Sequence, residues 1–484
     1  MSTLECTYAT LSPFFYERVR PIPVERPEIR LFNLPLAKSI GLEQLLDRSD
    51  LLSGNTLISG APEPISQAYA GHQFGHFTKL GDGRAHLLGE VLLKDGRRFD
   101  LQLKGAGRTP FSRQGDGRAA LGPMLREYLI SEAMHALQIP TTRSLAVVTT
   151  GEPVFRERPL PGAILARVAQ SHLRVGTFEY ALAFGSPALL KEIADYTIQR
   201  HFPELSSSPH PYRSLLNKII HLQAHLISEW MRVGFIHGVM NTDNVSLSGE
   251  TIDYGPCAFM DAFDPATVFS SIDEQGRYAF GNQPQIAHWN CVRFAESLIP
   301  LLASSESEAL EIARAEVDVF PNIFQEHWNS VMKPKLGFSA QSVISNSEFE
   351  TLIQSLLTLM HREQLDYTNT FRALSEHPIV SGSAVFTSDD FLKWSTDWHA
   401  LLKKYGITWS EASLTMQAAN PALIPRNHLV ERALTQASAS NDDTLFLELL
   451  SVLQKPYASI NEQTKAFAAP PEPHERVYQT FCGT

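Results

Sequence analysis

Cysteine is scarce in this sequence, with four residues, Cys6, Cys257, Cys291 and Cys482, and no CxxC pair among them. Their spacing excludes a zinc site of paired cysteines and a dense disulfide framework, and it fits a reducing compartment. Positive charge is short too: 41 Lys and Arg stand against 52 Asp and Glu, a formal charge of -11. Such a balance argues against a protein that coats nucleic acid. No segment reaches the ~18 uninterrupted apolar residues of a membrane helix. The opening MSTLECTYATLSPFFYERVRP has no cationic start followed by an apolar run. Neither a membrane partner nor a secretory leader is therefore expected, and the address reads as cytoplasmic. What is present is an ordinary globular composition, 43% hydrophobic and 19% charged over 484 residues. That length is too great for one small core and implies two lobes or more.

From about Leu51 to Pro159 the chain is punctuated by glycine and carries short alternating runs such as AHLLGEVLL and RFDLQLKG. These read as strands joined by turns. One helix lies among them, AALGPMLREYLISEAMHALQ, stopped at Ile139-Pro140 because proline disfavours helical geometry in the residue before it. Beyond Pro159 the pattern shifts to long helical periods, for example SLLNKIIHLQAHLISEWMRVGF and NCVRFAESLIPLLA, with apolar residues returning at three and four. The expected architecture is α+β and bilobal. An N-terminal extension and β-rich lobe span 1–158, a helical lobe 159–455 and an extended tail 456–484. GDGR occurs at Gly81 to Arg84 and again at Gly115 to Arg118, with different flanks that point to local convergence rather than a repeat.

One more absence carries the chemistry. His237 to Gly255 reads HGVMNTDNVSLSGETIDYG, the spacing of a kinase-type catalytic loop and metal strand, but Val239 stands where that loop would carry its aspartate. Asn244 and Asp253 are placed like the pair that holds Mg2+ against nucleotide phosphates in kinase-like folds. Alone, an N/D pair is outweighed by the reading of simple Asx turns. The N-terminal half adds weight. Lys104 alternates with apolar neighbours on a strand, like a phosphate-binding lysine, and Gly81, Gly83 and Arg84 precede it in a turn open to a phosphate. The following helix offers Glu127 or Glu132 to hold that lysine. Glu127 shares a face with Met124, Ile130 and Met134, where an unpaired charge is costly to bury, and is favoured. Arg167 and Arg174, seven apart, lie on one helical face or flank a turn and suit phosphate. His72 and His76 in HQFGH lack the glutamate of HExxH and read as turn packing, not a metal site.

Taken together, YAGHQFGHFTKLGDGRAHLLGE, LQLKGAGRTPFSRQGDGRAALGPMLREYL, ARVAQSHLRVGTFE, HGVMNTDNVSLSGETIDYGP and NPALIPRNHLVE resemble the selenoprotein O family. The resemblance covers most of the chain. It implies a protein-kinase-like fold and a protein adenylyltransferase that moves AMP from ATP, or UMP from UTP, to Ser, Thr or Tyr hydroxyls of other proteins. The nucleotide is then held flipped relative to a kinase, so that the α-phosphate faces the acceptor. On matching positions, Asp243 becomes the proton acceptor, and Asn244 and Asp253 hold Mg2+ or Mn2+. Gly81, Gly83, Arg84, Lys104, Asp116 and Gly117 contact the nucleotide, and Arg167 and Arg174 receive the outer phosphates. Protein substrates are the implied partners, and a monomer is expected. The family's cysteine-bearing tail corresponds to Phe481-Cys482-Gly483-Thr484. Two free thiols are the expectation there, with a Cys257 to Cys482 bond as the alternative. The rival functions are an inert kinase-like ATP-binding module and a small-molecule phosphotransferase, whose loop has a similar HG-x5-N spacing but needs an aspartate absent here.

Overall fold

A computed structural model describes residues 4–340, 342, 344–376, 386 and 388–481. The N-terminal half is built on a nine-stranded antiparallel sheet. Its strands are β1 (Tyr16–Arg18), β2 (Glu28–Phe32), β3 (Ile65–Gln73), β4 (His76–Gly81), β5 (Ala85–Leu92), β6 (Arg98–Lys104), β7 (Ala119–Ala120), β8 (Arg143–Phe155) and β9 (Pro159–Ala169). They run in the order β1-β3-β5-β6-β9-β8-β2, with β4 on β3 and β7 on β9. Two short helices, α1 (Leu34–Ser39) and α2 (Ser49–Leu52), lie between β2 and β3.

Alternation along the strands sorts the sheet into a dry face and a working face. Leu101 and Leu103 of β6 join Ile164, Ala166 and Val168 of β9 in a core that also takes α1 and α2. The residues between them, Gln102 and Lys104 on β6 and Arg167 opposite Gln102 on β9, point the other way. There they meet α3 (Leu121–Ala136). Met124, Leu125, Tyr128, Leu129, Ile130, Ala133 and Met134 of α3 are all buried, as are its charged Arg126, Glu127 and Glu132. The helix is enclosed on nearly every side, and this is why periodicity could not choose between its two glutamates.

The expected lobe boundary at 158 needs correcting as far as the sheet is concerned. It falls in the turn between β8 and β9, which pair from Arg143↔Val168 to Phe155↔Pro159. β9 belongs to the sheet, which continues to Ala169. Apart from Arg167, its run ILARVA is apolar on both sides because it is a central strand covered on both faces, and such a strand resembles a buried helix in sequence.

After β9 the chain is mainly helical, beginning with α4 (Val175–Phe184), α5 (Pro187–His201), α6 (Pro211–Arg232), α7 (Gln283–Leu302), α8 (Glu306–Val317) and α9 (Phe320–Met332). Their apolar stripes close on α3 in one large core. A second cluster, built around Trp394, Trp398, Phe349 and Phe371, organises the helices further along. A small pair of strands, β10 (Phe235–Ile236) and β11 (Ala258–Phe259), brackets the loop of interest, with Phe235 opposite Phe259. The tail is docked on the helical lobe: Ala468 O accepts from Arg426, and Thr480 N donates to Phe269 O at 2.7 Å. No helix among the described residues is long and apolar enough to cross a membrane.

Candidate active site

Between the sheet and the helical lobe lies a cleft of about 320 Å³, lined by Lys104, Arg167 and Arg174 with Asp243, Asn244 and Asp253. This size suits a small polar ligand. Gly83, Arg84, Asp116 and Gly117 also line it. Gly81 and Glu127 stand one layer behind. Gly81 lets the Phe111 ring pack against the backbone, since a Cβ there would overlap that ring.

Lys104 Nζ donates to Glu127 Oε2 at 2.6 Å and also bonds Asp253 Oδ1. Arg167 shares the same glutamate at 3.1 Å and donates to Gln102 Oε1 at 2.6 Å. Glu132, the other candidate, is taken by Arg143 at 2.6 Å. Glu127 thus holds two cations in a buried network, and removing it would leave Arg167 without an ion-pair partner among the described residues and Lys104 with Asp253 alone, at a cost of about 3–5 kcal/mol. Arg167 lies on a strand and Arg174 caps the N-terminus of α4, so of the two arrangements allowed by their spacing, the pair flanks a turn. Arg174 stacks 4.5 Å over the Tyr69 ring and donates to Asp243 O at 2.9 Å. Its guanidinium also lies 3.5 Å from Asp82.

The two GDGR segments line one cleft because the loop between β6 and β7 folds back over it. Thr109 Oγ1 donates to Asp82 O at 2.7 Å, and Ser112 Oγ bonds Gly83 O. Gly117 sits at φ 70°, and a side chain there would collide with the backbone of Gly107. Asp116 pairs with Arg156 at 2.8 Å. Tyr69, Asp82, Ser112, Arg118 and Arg156 were not singled out in the sequence, yet they line the cleft. Asp82 and Arg118 sit inside the two GDGR motifs, a usable signal; Tyr69 and Arg156 gain their place only through the fold.

His237 is buried against Trp230, ring centroids 5.2 Å apart, with Nε2 3.0 Å from Ile252 O. It fixes the loop to the segment that carries Asp253. Val239 turns its side chain into the protein, and its carbonyl accepts from Asn244 Nδ2 at 3.1 Å. The valine therefore orients the asparagine through its backbone and contributes no acid–base group. The carboxylate that this loop brings to the cleft is Asp243. It is 8% exposed, and its Oδ1 is buried without a hydrogen-bond partner. Gly71 makes room for it, since a Cβ there would lie 2.5 Å from that oxygen. Burial pushes the Asp243 carboxyl up to about 6, against the pull of Arg174. Burial would raise Asp253 as well, but Lys104, Arg167 and Arg84 outweigh it and hold that carboxyl well below the usual range. Asp253 also sits at φ 69°, a left-handed conformation that is uncommon outside glycine and often marks functional sites.

The donors suit a hard cation. No group of three or more His, Cys, Asp or Glu residues among the described residues forms a protein-only metal cage. Asn244 and Asp253 offer two oxygen ligands, the incomplete set that Mg2+ completes with phosphate oxygens and water. The histidines of HQFGH do other work: they sit at the tip of the β3–β4 hairpin, where His72 Nδ1 lies 2.6 Å from Glu179 Oε1. Cys257 is buried, and burial raises its thiol to about 12, so it is held protonated and unreactive. The expectation for Cys482 lies outside the described residues.

The sequence model of the family described as "Protein adenylyltransferase SelO" matches residues 2–454. The chain is similar to proteins named "Protein nucleotidyltransferase YdiU" from Alkaliphilus metalliredigens and Shouchella clausii. It is 54% identical to each over 99% of its own length and covers 97% and 98% of theirs. A protein of the same name from Bacillus mycoides is 53% identical over 99% of this chain and 98% of its own length.

Proposed function

The chain belongs to the SelO family of protein adenylyltransferases, and we propose that it transfers AMP from ATP to hydroxyl groups of protein substrates through the cleft described above. The observation that carries this reading is the Asp243 carboxylate, buried beside Asn244 with a free oxygen, in a loop whose usual acid position is Val239.

The acceptor oxygen attacks the α-phosphorus, the bond from that phosphorus to the β-phosphate bridging oxygen breaks, and pyrophosphate leaves. Asp243 takes the acceptor proton. A carboxyl raised to about 6 is ionised at neutral pH yet basic enough to receive it, a contribution of roughly 10²- to 10⁴-fold. Asn244 and Asp253 would hold a divalent cation, which supplies charge neutralisation on the phosphates when bound. Oxygen ligands accommodate Mg2+ and Mn2+ alike. Lys104, fixed by Glu127, and Arg84 grip the triphosphate beside Gly83 and Gly117, where backbone approaches closely. Arg167 and Arg174 stabilise charge on the departing pyrophosphate. This order of groups requires the nucleotide to lie with its α-phosphate towards Asp243. UTP presents the same phosphates and is the second donor.

Labelled ATP tests the reading. Label from the α-phosphate should become covalently attached to protein, and label from the γ-phosphate should not. Transfer of γ-label would make the chain a kinase. Transfer of neither, with ATP bound, would make it an inert module.

A further inference from the structure

Outside the cleft, the β3–β4 hairpin carries an unusual row of rings. The centroids of Trp289, His72, Phe77 and Phe184 follow one another at 5.3, 5.1 and 6.0 Å. The row runs from α7 across the hairpin to the end of α4; Phe77 and Phe184 are 42% and 45% exposed, and His72 and Trp289 are half-buried. A cation stands at each end. Lys79 Nζ lies 5.3 Å from the Phe184 ring centroid, and the Arg277 guanidinium lies 4.8 Å from that of Trp289. Neither has an ion-pair partner among the described residues, and Arg277 Nε is buried without any acceptor. Arg293 also stacks on Trp289 but is already neutralised by Glu296 at 2.6 Å.

The row adjoins the catalytic loop. His72 N donates to Thr242 Oγ1 at 2.7 Å, and Phe74 N donates to Asn241 Oδ1 at 3.0 Å. Tyr278, next to Arg277, donates its hydroxyl to the same Asn241 oxygen at 2.7 Å. Arg277 therefore sits beside the loop that presents Asp243.

Resting on the transferase reading above, we propose that the acceptor polypeptide lies along this aromatic shelf, and that Arg277 takes a carboxylate side chain flanking the acceptor hydroxyl. Exposed aromatic faces give an extended segment apolar contact without sequence demands. An unpaired guanidinium fork prefers a carboxylate over any other protein group. In a chain of formal charge -11, a free cation beside the catalytic loop offers acidic segments a local attraction.

The test uses short synthetic peptides with a single Ser, Thr or Tyr, flanked by Glu, Gln or Lys. They are offered to the full-length chain and to Arg277→Gln and Arg277→Glu. Peptide affinity is read by fluorescence anisotropy, AMP incorporation by α-labelled ATP, and folding of each variant by its melting shift with ATP. The unaltered chain should favour Glu over Lys peptides about tenfold in both readouts, as for one close charge pair. Arg277→Gln should erase that preference and Arg277→Glu should reverse it. Equal use of all peptides, with AMP transferred, or no peptide binding at all, overturns the inference. Better binding of Glu peptides, dependent on Arg277 but without α-label transfer, would uphold the shelf and refute the transferase reading.

Discussion

Replacing Asp243 with asparagine separates the proposed role of this carboxylate as proton acceptor from the cost of its burial. Its Oδ1 makes no hydrogen bond, and Arg174 holds the residue through the backbone carbonyl, so an amide of the same shape keeps that contact and retains one oxygen to accept the bond from Gln73. Activity should nevertheless fall by roughly 10²- to 10⁴-fold in kcat, because the proton acceptor is gone while nucleotide contacts stay. Stability should move the other way. Burial, opposed by Arg174, raises the folded carboxyl from 3.8 to about 6. A raised acid contributes stability that is complete below its unfolded value and is lost as pH rises through the folded one. At pH above about 7 the ionised form therefore costs on the order of 2–3 kcal/mol, which asparagine relieves. Thermal melting in metal-free buffer should show Asp243→Asn more stable than the parent at alkaline pH, the gap closing towards pH 4. Steady-state AMP transfer on the same samples gives kcat. Unchanged kcat at saturating ATP would refute the role of Asp243 as base, and a variant that melts lower at every pH would show that the carboxylate is structural.

Asp253→Ala should abolish metal-dependent labelling, and retained activity would remove Asp253 from the metal set. Gly71→Ala should lower kcat with little effect on ATP affinity, because the new methyl displaces the Asp243 carboxylate and not the nucleotide contacts; equal kcat would mean that Asp243 has room to move. Burial, only partly offset by Gln170 N and Ser248, raises Glu250 to about 7. Its contribution is present below the unfolded value near 4.5 and lost as pH rises through 7. Glu250→Gln should therefore gain stability over the parent at pH 8, by up to about 3 kcal/mol, and little near pH 4.5; melting curves at the two values check it.

Much of the site was legible because its residues obey local rules. Lys104 announced itself by alternation on β6, and the helix that holds Glu127 by its period and its terminal proline. The apolar face of α3 favoured Glu127 over Glu132, and Glu127 is the one that meets Lys104; Glu132 is also buried and is held by Arg143, a partner delivered by the β8 strand that no single-helix argument contains. Arg167 and Arg174 were chosen for their chemistry, but their spacing of seven suggested a helix as readily as the turn found here. That ambiguity and the boundary expected at 158 share one cause: β9 is covered on both faces, and Leu165 between Ile164 and Ala166 blurs the two-residue alternation that identifies a strand. Tyr69 and Arg156 carry no sequence mark, because a cleft wall is assembled from segments far apart in the chain.

The central claim is the orientation of the nucleotide, and it is tested most directly by a crystal structure with a non-hydrolysable ATP analogue and Mg2+. The account predicts the α-phosphorus beside the free oxygen of Asp243, with the outer phosphates against Arg167 and Arg174. A terminal phosphate seated at Asp243, with the α-phosphate turned away, would contradict it.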